Sequence, residues 1–118
     1  MENYIGKVIL SILNQSFQDF EIVIINDFSN DGTENIIKRL KKKEKRIRLI
    51  NHKKNLCTYF SRIDGVLNSK GEYIIFLDAD DMFLNSDLFQ KLFEFNLKYN
   101  LDILEFTVYY QNEKRNKI

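Results

Sequence analysis

Three aspartates stand almost side by side in the second half of the chain: Asp78, Asp80 and Asp81, with only Ala79 between the first two. An apolar run, Tyr73-Ile74-Ile75-Phe76-Leu77, leads directly into them. Side chains two apart on an extended segment point the same way, so Asp78 and Asp80 address one site and Asp81 another part of it. Clustered carboxylates repel one another unless a cation or hydrogen-bond donors compensate. Magnesium takes oxygen ligands at about 2.1 Å, often one or two carboxylates completed by substrate phosphates. An apolar strand that delivers carboxylates to its mouth suits that need. It equally suits a capped turn with solvated aspartates, so the cluster alone supports no more than a cation site at a strand end.

A second polar loop has a similar setting. Asn26-Asp27-Phe28-Ser29-Asn30-Asp31-Gly32-Thr33 directly follows the β-branched run Ile22-Val23-Ile24-Ile25 and leads into a helix. Asp27 is placed to accept a hydrogen bond from a base or ribose. Backbone amides at the helix start favour anions. The same residue types also build ordinary turns and caps.

The elements that must position these loops follow from periodicity. Ile5, Val8, Ile9, Ile12 and Leu13 recur at helical spacing. Ile22–Ile25 reads as a strand buried on both faces, as in a parallel sheet. Asp31 with Glu34 reads as a helix start, and Ile36, Ile37 and Leu40 give that helix its apolar face. Arg48-Leu49-Ile50 reads as a second strand. Tyr59, Ile63, Val66 and Leu67 form another helical face, with Gly71 at the place of a C-cap glycine. Tyr73–Leu77 is a third strand. Asn85, Ser86 and Asp87 cap a helix carrying Leu88, Leu92 and Phe93, and 103–110 is a fourth strand. Alternating strands and helices predict an α/β fold: a doubly wound, mainly parallel sheet with helices on both faces. Ligands of such sheets bind outside the carboxyl ends of the strands, where both polar loops fall. Residues 1–110 form one domain and 111–118 a polar tail.

Bulk properties exclude several classes. At 118 residues the chain is one domain at most, and 44% hydrophobic content argues against intrinsic disorder. A net charge of +1 names no partner, and the single Cys57 rules out an internal disulfide or a cysteine-based zinc site. No apolar run approaches the roughly 18 residues that span a bilayer. Glu2 in place of a basic leader argues against a secretory signal, so the expected location is cytoplasmic. The lone His52 and Cys57 read as structural or incidental.

Taken in order, four segments resemble glycosyltransferase family 2, which has the GT-A fold. Ser11-Ile12-Leu13-Asn14-Gln15-Ser16-Phe17 resembles its helix-ending Ser-x-x-x-Gln-Thr/Ser-Phe/Tyr. Residues 21–33 resemble its Glu-Ile-apolar-Asp-Asp-x-Ser-x-Asp-x-Thr. Asn55 through Gly65 resembles Asn-x-Gly-x-x-x-Ala-Arg-Asn-x-Gly, with Arg62 on the family arginine. Lys70 through Asp81 resembles Gly-Glu-Tyr-apolar-Leu-Asp-Ala-Asp-Asp. The resemblance covers roughly residues 4 to 110. It implies that Asp27, Ser29, Arg62, Asp78, Ala79 and Asp80 bind a nucleoside-diphosphate sugar, a UDP-sugar in particular. It also implies that Asp80 and Asp81 hold Mn²⁺ or Mg²⁺, and that the sugar passes to a hydroxyl of a glycan, lipid or protein acceptor with inversion.

The chain departs from the pattern at Asn26, where a first aspartate is usual, and at Ile63, where asparagine is common. At Cys57, where glycine is common, a Cβ crowds a loop that glycine leaves open. The resemblance places the family's first strand and its Pro-x-Tyr-Asn-like loop before Met1, and its catalytic base beyond Ile118. Glu105 and the remaining aspartates qualify as a base by type alone, so no catalytic residue is assigned. A partner chain or second copy is then expected to complete the sheet edge. An inactive or decayed binding domain is the non-enzymatic alternative.

Two other classes share features with this chain. Haloacid-dehalogenase-like phosphotransfer also sets Asp-x-Asp after an apolar strand. However, Met82 occupies its Thr/Val place and the motif comes late. Nucleic-acid binding would use Lys38 to Arg48, which holds eight basic residues against the single acid Glu44. The apolar positions of that helix make a solvated outer face the simpler reading, and no nucleic acid is expected.

Overall fold

The computed structural model describes residues 1–105. Its elements run α1 (Glu2–Leu13), β1 (Ile22–Asn26), α2 (Thr33–Lys43), β2 (Ile47–Asn51), α3 (Cys57–Asn68) and α4 (Leu88–Tyr99). β1 and β2 pair in parallel, with Ile22 opposite Ile47 and Asn26 opposite Asn51. The α/β expectation holds, and both faces of this pair are covered. Ile22, Ile24, Ile47 and Leu49 join Ile5 and Ile9 of α1 and Ile37 of α2 in one core. Strand alternation turns Ile25 the other way, toward α3, where Gly65 approaches its Cγ1. Burial of each core isoleucine contributes about 2 kcal/mol against chain entropy. Ile9, Ile37 and Ile47 are each 1% exposed, so this small cluster is where α1, α2 and the strands are locked together.

α2 is amphipathic for a plain reason. Ile37 points into the core, and Lys38, Arg39, Lys41 and Lys42 stay in water. Glu44 grips Arg46 at 2.8 Å, and Arg46 also covers the Phe20 ring at 4.5 Å. Arg48 pairs with Glu21 at 3.1 Å and donates to the Asn68 carbonyl. Part of the basic run therefore braces the fold. No helix among the described residues is long and apolar enough to cross a membrane.

Several expectations shift. α2 begins at Thr33 behind Gly32. Asp31 accepts the Thr33 N–H at 3.1 Å, but Glu34 turns outward to Lys38 and Asn51 instead of closing a capping box. α3 ends at Asn68, and its cap residue Ser69 is extended, so Gly71 is not a left-handed C-cap. The expected third strand, Tyr73–Leu77, is irregular backbone that ladders with no described strand. A strand needs a hydrogen-bonded neighbour, and among the described residues β1 is paired only on its β2 edge. Tyr73, Ile74, Ile75 and Phe76 accordingly stay 38–50% exposed. The fourth strand also fails over Ile103–Glu105, and its remaining residues, like the 111–118 tail, lie outside the described residues.

Cys57 opens α3 with φ +69°, a left-handed conformation that costs an L-residue about 1–2 kcal/mol. This is the physical content of glycine at that position. Cys57→Gly should raise stability by about 1 kcal/mol and Cys57→Val should lower it, both read from thermal melts.

Candidate functional site

The in-register pairing brings both strands to their carboxyl ends at one level. Asn26 Nδ2 donates to Asn51 Oδ1 at 2.9 Å, and the His52 N–H donates to the Asn26 carbonyl at 3.0 Å. Asn26 is 6% exposed, and its Oδ1 accepts the Ser29 N–H at 3.1 Å. An asparagine thus serves here as donor and acceptor at once, which a carboxylate cannot do. The loop it folds turns at Phe28, φ +65°, and carries Asp27 beside the strand end.

Asp27 meets two partners through one oxygen. Its Oδ1 accepts from His52 Nδ1 at 2.8 Å and from the Leu56 N–H, at the start of α3, at 2.7 Å. The opposite ring nitrogen of His52 lies 2.9 Å from Asp64 Oδ2, on α3. The His52 side chain is only 6% exposed. Hydrogen bonding to Asp27 raises the imidazole pKa, with Asp64 adding to the effect against the opposing cost of burial. Hydrogen bonds from His52 and Leu56 hold the Asp27 carboxyl below its ordinary range. Sequence reasoning set His52 aside as structural or incidental and passed over Asp64. The available signal was positional: the sole histidine follows β2 as Asp27 follows β1.

The acidic cluster is a turn, not an extended strand end. The Asp81 N–H donates to the Asp78 carbonyl at 3.1 Å, so the strict alternation of Asp78 and Asp80 does not apply. Asp78 pairs with Arg62 of α3 at 3.0 Å, and the Arg62 guanidinium lies 5.6 Å from the centre of the Phe76 ring. Ala79 packs inward on the core, and small size suits that place. Asp80 and Asp81 are exposed, and among the described residues their carboxylates carry no ion pair or hydrogen bond. No group of three or more His, Cys, Asp or Glu side chains among the described residues gathers to metal-binding distance.

The turn is held from behind by the end of α1. Ser11 Oγ accepts the Phe83 N–H at 3.3 Å. Gln15, 1% exposed, donates to the Asn85 carbonyl at 2.7 Å and accepts the Phe89 N–H at 3.2 Å. The Phe17–Phe93, Phe20–Phe89 and Phe83–Phe89 ring contacts seat α4 on the same connection. Ser11 stands in the last turn of α1 and Gln15 just past its Asn14 cap, where its Nε2 also donates to the Ser11 carbonyl at 3.3 Å, so both side chains reach the same connection. The structure therefore joins Arg62 directly to Asp78, and sets Asp27 at the start of the helix that carries Arg62. Ser29 contributes its amide to the loop, and its hydroxyl makes no described hydrogen bond.

The sequence profile of glycosyl transferase family 2 matches residues 2–118. The chain belongs to glycosyltransferase family 2. With membership comes the GT-A fold, of which the parallel pair and its flanking helices are a part. An uncharacterized glycosyltransferase of Haemophilus influenzae is 38% identical over 100 residues, covering 85% of this chain and 40% of that protein. The glycosyltransferase GlyA of Streptococcus pneumoniae is 33% identical over 113 residues, covering 96% of this chain and 16% of that protein. The uncharacterized glycosyltransferase EpsJ of Bacillus subtilis is 35% identical over 115 residues, covering 98% of this chain and 33% of its own length. The family 2 chain thus spans 40% or less of the length of these relatives.

Two stability predictions follow from the supports of this family 2 site. Gln15→Leu keeps the volume but removes the partner of the Asn85 carbonyl and the Phe89 amide at a part-buried connection, and should cost about 1–2 kcal/mol in urea unfolding. The His52 bridge stabilises the fold below the ordinary imidazole pKa of 6.5, and that contribution is lost as pH rises through the raised folded value. Asp27 stabilises above its ordinary 3.8, and its contribution is lost as pH falls toward its depressed value. Melting temperature should therefore plateau between about pH 4 and 6.5 and decline on the alkaline side, a decline absent in His52→Gln.

Proposed function

We propose that this chain forms the donor side of a glycosyltransferase, binding a nucleoside-diphosphate sugar across the first turns of α3. The observation that carries the reading is the placement of that helix. Its leading amide holds Asp27, and its Arg62 reaches the acidic turn at Asp78. A base, a diphosphate and a sugar joined in sequence need an acceptor at one end and cationic and metal-binding groups at the other.

Each residue then has a stated task. Asp27 Oδ2, which makes no hydrogen bond among the described residues, accepts an N–H from the base, which favours uracil, with its N3–H, and supports a UDP-sugar donor. Ser29 lies two residues on in the same loop, on the ribose side. Arg62 offers planar donors to the diphosphate. Its pair with Asp78 is solvent-exposed, with side chains 50% and 54% exposed, so exchanging it for phosphate oxygens costs little. Ala79 keeps the turn close against the core beneath the sugar.

Asp80 and Asp81 supply hard carboxylate oxygens of the type Mn²⁺ and Mg²⁺ prefer. Two protein carboxylates suffice where substrate phosphates complete the shell. When bound there, a divalent cation supplies neutralisation of the charge that builds on the departing diphosphate. The acceptor hydroxyl, of a glycan, lipid or protein, attacks the anomeric carbon as the bond from that carbon to the diphosphate oxygen breaks. The hydroxyl proton passes to a carboxylate base, and the configuration inverts.

Calorimetric titration with UDP in the presence of Mn²⁺ tests this reading. The chain should bind UDP, and Asp80→Ala should abolish the dependence of affinity on Mn²⁺. Asp27→Ala should weaken UDP by about tenfold, the worth of one hydrogen bond to a charged group. No UDP binding by the intact chain, or an unchanged Mn²⁺ dependence in Asp80→Ala, would overturn it.

A further inference from the structure

His52 faces a carboxylate oxygen with each ring nitrogen, Asp27 at 2.8 Å and Asp64 at 2.9 Å. A neutral imidazole has one donor and one acceptor nitrogen, and would turn a lone pair toward one of these carboxylates. Only the imidazolium satisfies both contacts. Asp27 enters from the loop after β1 and Asp64 from α3, and these are the charged groups facing the ring. Lys53 and Lys54 follow it on its own segment.

We propose that His52 is a positioning residue for the donor nucleotide: as an imidazolium it pins Asp27 Oδ1 and so presents Asp27 Oδ2 to the base. The inference rests on the donor-site reading above. Oδ1 is fully engaged by His52 and by the Leu56 amide, so the carboxylate cannot rotate freely. Asp64 holds the far side of the ring and couples α3 to the base-binding loop. Loss of the ring proton puts the Asp64 carboxylate against a lone pair, and the three-part bridge comes apart. Donor affinity is thereby tied to the protonation of one side chain. Asp27, already ionised, does not titrate near neutral pH.

The chain has a single histidine, so its imidazole Cε1–H signal reports His52 unambiguously by NMR. UDP affinity, measured by calorimetry with Mg²⁺ from pH 5.5 to 8.5, should fall about tenfold as that signal titrates. By linkage, saturating UDP should raise the pH at which the signal titrates. Asp64→Ala removes a half-exposed partner on α3 outside the core cluster, so the fold survives even if His52→Gln does not. In Asp64→Ala the imidazole titration and the midpoint of the affinity profile should move together to lower pH. In His52→Gln the profile should be flat.

Three results would overturn the role. One is an imidazole titration that Asp64→Ala does not move. Another is an affinity profile that stays in place while the imidazole titration moves. The third is a His52→Gln profile identical to that of the unaltered chain. These failures leave UDP binding itself intact. If the unaltered chain binds no UDP at any pH, the donor-site reading fails first and the positioning role fails with it.

Discussion

The parallel register of β1 and β2 is the constraint on which the site depends. With Asn26 opposite Asn51, both chains leave the sheet at the same height, and the Asn26–Asn51 hydrogen bond fixes the pair there. The next residue on each strand is then a neighbour of the other: Asp27 beside His52. A slip of one residue would turn each core isoleucine to the wrong face, so burial of Ile22 and Ile47 enforces the register that the chemistry needs. The hydrophobic core and the polar site are in this sense one arrangement seen from two ends of the same strands.

α3 extends that strand-end geometry toward the acidic turn, along the surface proposed to bind the donor. Its first amide, Arg62 and Asp64 reach three different groups: Asp27, Asp78 and His52. α3 carries no fully buried side chain, so its position owes much to these polar links and to its packing on Ile25. The acidic turn has a separate anchor in Ser11 and Gln15, which hold the backbone just beyond it. The direct side-chain links described between the two parts both run through Arg62: its contact with the Phe76 ring and its exposed ion pair with Asp78. An ion pair of that kind is worth at most about 1 kcal/mol, weak enough to exchange for a charged ligand.

Much of this was legible in the sequence because it is set by local pattern. The β-branched run Ile22–Ile25 and the helical spacing of Ile5, Val8 and Ile9 gave real elements, and four ordered motifs gave the family. Cys57 in a glycine position was read as a crowding Cβ, whereas the structure shows the cost in the backbone, as a positive φ. Tyr73–Leu77 misled because an apolar run states a need for burial but does not supply a neighbouring strand to ladder with. His52 and Asp64 were not legible because their partnership depends on strand register and helix orientation, which no local spacing encodes. Gln15 was visible as a motif letter. Its task, satisfying the Asn85 carbonyl and the Phe89 amide about seventy residues away, appears only once the chain is folded.

Amide NMR of the chain titrated with UDP and Mg²⁺, followed by exchange of Mg²⁺ for Mn²⁺, tests the central claim most directly. The account predicts shifts at Asp27, Leu56 and Arg62, and paramagnetic broadening by Mn²⁺ centred on Asp80 and Asp81. Shifts confined to the basic face of α2 at Lys38–Lys42, with no broadening at the acidic turn, would contradict it.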